Sequence, residues 1–160
     1  MKKKILLLLL PAVAILFLDQ FSKWMVVGSL QIHESVSVIE GFFNLVHIRN
    51  RGMAFGLLNR PGGDFSFYLL TGATLAAVCL LLVWFMKLKD EGPGIILPLA
   101  LILGGALGNL SDRIRLREVI DFLDFFVGSY HWPAFNVADS AITVGTFWLA
   151  LIMLFRRFED

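Results

Sequence analysis

Charge is scarce in this chain. Of 160 residues only 17% are Asp, Glu, Lys or Arg, 58% are hydrophobic, and residues 65–86 form a run of 22 without a charge. A soluble domain of this length has too little interior for so much apolar surface, so lipid is the expected solvent over most of the chain. A formal net charge of +1 lacks the basic excess of a nucleic-acid binder. The single cysteine, Cys79, excludes a disulfide framework and a cysteine-based zinc site. Within A-A-V-C-L-L-L it reads as a small buried apolar residue. His33, His47 and His131 show no H-E-x-x-H spacing, and no metal or other cofactor is expected.

What is present is a series of long apolar runs. The start, M-K-K-K-I-L-L-L-L-L-P, imitates a secretory signal peptide, but a cleaved signal would continue into small residues. D-Q-F-S-K follows instead, so residues 5–27 are read as a retained transmembrane helix. Further spans are expected over about 65–86, 95–112 and 138–155, within one integral membrane domain covering 1–160. Gly104 and Gly108 make a small-xxx-small pattern that admits a neighbouring helix. Pro98 is tolerated early in its span or kinks it. The connections, about 29–64 and 113–137, are long. Around Gly41 the alternation of V-S-V and F-F-N-L-V-H-I predicts short strands, and residues 54–58 read as an apolar segment on the membrane surface. The expected fold is therefore an all-α, four-span membrane protein with a small β-containing subdomain and a short surface helix.

Four spans place both termini on one side, and Lys2, Lys3 and Lys4 mark it as cytoplasmic. The complete count is nearly even, with seven basic residues assigned inside and six outside. Every lysine outside the spans falls inside, whereas the outer six are all arginines. Asp19, Lys23, Asn50, Asn109, Asp112, Arg113, Asp121, Asn136 and Asp139 then all fall near the outer face. An acid at a bilayer edge is expensive without a partner or a task. Two acids brought together can share one proton and hold an acid and a base at once. Asp121 and Asp139 are the candidates for such a pair, with Asp124 the competitor. Asp139 opens the fourth span, where the helix start favours an ionised carboxylate. Asp19 and Lys23, four apart on one helical face, fit either an ion pair with Lys23 snorkelling outward or an anchor beside the carboxylates. Asn50 fits a turn or a site. Phe42, Phe43, Phe55 and Trp132 fit either walls around a lipid chain or packing against the bilayer.

The ordered motifs D-Q-F-S-K (19–23), N-R-G-M-A-F-G (50–56), G-N-L-S-D-R (108–113), V-I-D-F-L-D-F (119–125) and F-N-V-A-D (135–139) resemble those of the lipoprotein signal peptidases, or signal peptidase II. The resemblance covers nearly the whole chain. It implies an aspartyl endopeptidase of the bacterial cytoplasmic (inner) membrane, which removes the signal peptide of prolipoproteins just before a diacylglyceryl-modified cysteine. It implies Asp121 and Asp139 as catalytic, with Asp19, Lys23, Asn50, Asn109, Arg113 and Asn136 supporting or lining the site. The partners it implies are the lipid-modified substrate and membrane lipids, with no nucleic acid, and a monomer is expected. One position departs: the family usually has glycine where this chain has Arg117, and glycine tolerates backbone angles that arginine resists. Met53, where a small residue is commoner, is a lesser departure. The rival enzyme reading, a serine–lysine protease using Ser22 and Lys23, suffers because adjacent helical residues point about 100° apart. A small channel or proton-linked transporter is the alternative outside enzymes.

Overall fold

A computed structural model describes residues 2–52, 64–88 and 92–156. The apolar segment at 54–58, Met53, Phe55 and the expected surface helix lie outside the described residues. Among the described residues, four helices are long and apolar enough to cross a membrane: α1 (Lys2–Ser29), α2 (Phe65–Lys87), α3 (Pro93–Leu116) and α4 (Val137–Arg156). At 1.5 Å per residue each spans a hydrocarbon core of about 30 Å. Between α1 and α2 run β1 (Ser35–Ile39) and β2 (Phe43–Asn50), turning at Gly41, whose φ of +75° suits glycine. Between α3 and α4 run β3 (Val119–Val127) and β4 (Tyr130–His131). The four strands form one antiparallel meander, β1-β2-β3-β4.

Helix α3 is the centre of the bundle and packs against each of the other three. Ile96, Leu99, Ala100 and Leu103 on it are almost wholly enclosed, while Phe17, Met86 and Phe147 on the surrounding helices stay exposed for lipid. Cys79 also lies on this outer surface of α2, so its apolar surroundings are the bilayer and not the protein interior. Helix α3 continues unbroken through Pro98. At the end of the bundle where α1 begins, Lys4 Nζ donates to the carbonyls of Phe85 (2.8 Å) and Leu88 (2.5 Å), covering the unsatisfied end of α2.

Three glycines bring α3 close to its neighbours. A Cβ on Gly104 would sit 2.6 Å from the Ala12 carbonyl oxygen of α1, and one on Gly108 would sit 2.6 Å from Asp19 Oδ2. A Cβ on Gly105 would collide with the Ala138 carbonyl oxygen at the head of α4. Backbone cannot yield as a side-chain tip does, so Gly105→Ala is expected to destabilise by about 1–3 kcal/mol. Gly72→Ala, where a Cβ meets nothing within 4 Å, is the matched control expected to leave the unfolding midpoint in detergent unchanged.

Two boundaries differ from those expected from sequence. Helix α3 runs four residues beyond 112, because Asp112 points into the bundle and does not mark its edge. The long connection expected at 113–137, where the sequence pattern assigns no strand, carries strand β3 over 119–127. Its two aspartates, three apart, break the period-2 alternation by which a strand is recognised.

Candidate active site

The site is built from the head of α4 outward. Asn136 stands just before the helix, and Asp139 is its third residue. Asn136 Oδ1 accepts the Asp139 backbone N–H (2.9 Å), and Asp139 Oδ2 accepts the Asn136 backbone N–H (3.2 Å). This reciprocal pair is a capping box made with Asn and Asp. It fixes the Asp139 side chain by the same bonds that start the helix. A further free N–H at this end, that of Ala138, donates to Asp19 Oδ1 at 2.9 Å. Gly108 leaves the room for that carboxylate.

Lys23 sits behind this arrangement. It is buried, and its ammonium uses all three donors: Asp19 Oδ2 (2.8 Å), Asp112 Oδ2 (2.8 Å) and Asn109 Oδ1 (3.1 Å). Asp112 also accepts from Gln20 Nε2 (2.9 Å) and from the Ile120 backbone N–H (3.3 Å). The last bond pins the start of β3 to α3. Because Asn109 turns its oxygen to Lys23, its amide nitrogen faces outward and donates to Asp139 Oδ1 at 2.7 Å. The lysine thus sets the orientation of a group that touches Asp139.

Asp121 reaches the same place from β3. Its Oδ1 accepts from Asn136 Nδ2 (2.8 Å) and its Oδ2 from Asn50 Nδ2 (3.0 Å). Asn50 Oδ1 meanwhile accepts the Gly52 N–H at 2.9 Å, so this residue makes the turn and reaches the site at once. Asn136 therefore bonds both carboxylates. Burial, and then the charge of Asp139, push the Asp121 carboxyl up to about 7, against the opposing effect of the Asn50 and Asn136 bonds and of Lys23. Arg113, one turn beyond Asn109, lies within electrostatic reach of Asp139, Asp121 and Asp112. Asp121 is buried, whereas Asp139 is only half-buried. All eight residues expected from sequence at this site converge on it.

A sequence model of the family described as Signal peptidase (SPase) II matches residues 11–155. A lipoprotein signal peptidase of Syntrophus aciditrophicus is 47% identical over 159 residues, covering 99% of each chain. One of Nitratidesulfovibrio vulgaris is 49% identical over 91% of this chain and 87% of its own. Among solved structures, a bacterial membrane enzyme determined by the in meso method matches with a TM-score of 0.76 at 31% identity, over 96% of this chain and 88% of its own. The chain belongs to the signal peptidase II family. It is a multi-pass membrane peptidase.

For a signal peptidase II the surrounding geometry settles several alternatives. Lys23 does not snorkel outward; it is locked between two carboxylates. Ser22 Oγ donates to the Asp19 carbonyl at 2.9 Å, and with Lys23 fully engaged the two form no serine–lysine dyad. Asp124 accepts from Asn44 Nδ2 (3.1 Å) and pairs with His131 Nδ1 (2.9 Å), away from Asp139. Phe42 and Phe43 gather on Phe125, which stacks in turn on Phe135, while Trp132 is exposed. Arg117 takes the left-handed conformation after all, with φ 61°, and its N–H closes α3 on the Arg113 carbonyl at 2.9 Å. That backbone costs about 1 kcal/mol for a non-glycine residue. The exposed contact of Arg117 with Asp64 (2.7 Å) and its position over the Phe67 ring offset part of it.

Sequence reasoning missed Gln20, which joins Asp19, Asp112 and Gly108 through one amide. A polar residue directly after an intramembrane acid was the available signal. It also missed the N-x-x-D capping pattern of 136–139, legible as a variant of the S/T-x-x-E box.

Proposed function

We propose that this protein cleaves the signal peptide from lipid-modified prolipoproteins, N-terminal to the diacylglyceryl cysteine, with Asp121 and Asp139 as its catalytic pair. The observation that carries this reading is Asn136, hydrogen-bonded to both carboxylates at the membrane end of the bundle. Asp139, which accepts from Asn109 and Asn136 at the positive start of α4, is suited to act as the base. It takes a proton from water as the oxygen attacks the scissile carbonyl. Protonated Asp121 donates a hydrogen bond to the carbonyl oxygen as negative charge develops there. Collapse of the tetrahedral intermediate breaks the C–N bond, and the proton held by the pair passes to the leaving amine. Arg113 lends positive charge beside the pair. Asn50, Asn109 and Lys23 hold the carboxylates in place, and Asp19 holds the head of α4.

The pair lies at the end of the bundle opposite Lys4, so Lys2, Lys3 and Lys4 favour cytoplasmic termini and an extracytoplasmic site in the bacterial cytoplasmic membrane. On this reading both catalytic carboxylates lie on one chain and the protein acts as a monomer.

Cleavage of a diacylglyceryl-modified prolipoprotein in detergent, against the same polypeptide with a bare cysteine, tests the substrate; turnover of the unmodified form at an equal rate would overturn it. The mechanism predicts the pH profile. The active form holds one proton on the pair, and Asp121 loses it as pH rises through about 7. kcat/KM should therefore fall above that pH by about tenfold per unit. A flat profile from pH 6 to 9 would exclude the proton-holding role.

A further inference from the structure

Asp124 and His131 are a second titratable cluster, outside the pair and unused by the chemistry. His131 Nδ1 lies 2.9 and 3.1 Å from the two oxygens of Asp124, and its ring stacks on Phe126 at 4.7 Å between centroids. Asn44 Nδ2 holds Asp124 from β2. These contacts fasten the return strand to β3. Beyond His131 the chain has only Trp132, Pro133, Ala134 and Phe135 before Asn136. Trp132 N–H reaches the Phe125 carbonyl (2.8 Å), and Phe135 exchanges backbone bonds with Leu123 (3.1 and 2.8 Å). Pro133, between them, has no N–H to offer. A buried carboxylate is an expensive way to fasten a surface hairpin unless its position has a consequence.

We infer that the Asp124–His131 pair is a positioning latch: it fixes the return strand so that the Asn136 amide is held against Asp121. The inference rests on the catalytic pair proposed above. Asp124 and His131 are positioning residues that act through Asn136 and touch no reacting atom.

The readout is the alkaline limb of kcat/KM. Asp121 faces Asp139 from α4, Lys23 from α1, Arg113 from α3, Asn50 from β2 and Asn136 from the segment that leads into α4. The Asn136 bond favours its ionised form. Loosening that bond makes Asp121 hold its proton to higher pH. Asp124→Asn, His131→Gln and the double variant should each move the limb upward by about half to one pH unit, the size expected for one hydrogen bond to a charged acceptor. The double should move it no further than the larger single. A variant that merely reduces the folded fraction scales the curve and leaves the limb in place. If Asp124→Asn does not fold, the half-exposed His131→Gln carries the test. A limb that stays put in folded His131→Gln overturns the latch, as do additive shifts in the double or failure of His131→Gln to fold. Absence of the limb in the unaltered enzyme overturns the catalytic pair instead.

Discussion

Asp121→Asn and Asp139→Asn are each expected to lower cleavage of a lipid-modified prolipoprotein by about a thousandfold or more, with the protein folded and a chelator without effect on the unaltered enzyme. Each change keeps the shape of its side chain. Asn at 121 can still accept from one of Asn50 and Asn136, and Asn at 139 can still cap part of the helix start. What is lost is protonation chemistry. An amide at 139 takes no proton from water, and one at 121 delivers none to the leaving amine, steps worth about two to four orders of magnitude. Removing a carboxylate from a crowded pair also relieves repulsion, so neither variant should unfold more easily than the parent. Activity combined with thermal unfolding in detergent checks both halves. Near-normal turnover in either variant would sink the two-aspartate mechanism and return attention to ion flux in liposomes, the test of the transporter alternative. Asp124→Asn should keep clearly measurable turnover, because its effect passes through Asn136.

Lys23→Met should have the opposite profile: a large loss of stability, with inactivity following from it. The substitution keeps much of the apolar stem and removes the ammonium. Asp19 and Asp112, both almost fully enclosed, would each lose a 2.8 Å partner. Leaving buried charge uncompensated costs about 3–5 kcal/mol, a large share of the total stability of a domain this size. Asn109 would also lose the bond that fixes its amide and could turn its oxygen toward Asp139. The unfolding midpoint of Lys23→Met in detergent should therefore fall well below that of the aspartate variants. If it matched the parent, the lysine would be a peripheral anchor and not the support of the site.

Much of this molecule was legible because lipid leaves few options. A run of 22 uncharged residues must be a helix in a bilayer, since every backbone group has to bond within its own segment. The four spans, the strands flanking Gly41 and the inward glycines of α3 follow from that constraint and from local pattern. The site residues stood out for the same reason, as polar groups whose placement beside lipid calls for a partner.

Which partner each has was decided by the tertiary structure. Sequence spacing left Lys23 equally able to face the headgroups or the bundle; the packing of α3 against α1, at Gly104 and Gly108, turned it inward between Asp19 and Asp112. Spacing alone could not choose between Asp121 and Asp124 either. Strand β3 separates the two: residues three apart point to opposite faces of a strand, so one carboxylate meets Asn136 and the other meets His131. Nor does local propensity forbid or require arginine at 117; its left-handed backbone is imposed by the turn from α3 into β3. The chain by itself determined the membrane, the spans and the set of polar residues. Only the fold determined their pairing, because a pairing depends on faces and distances between elements far apart in sequence, and those are fixed by packing.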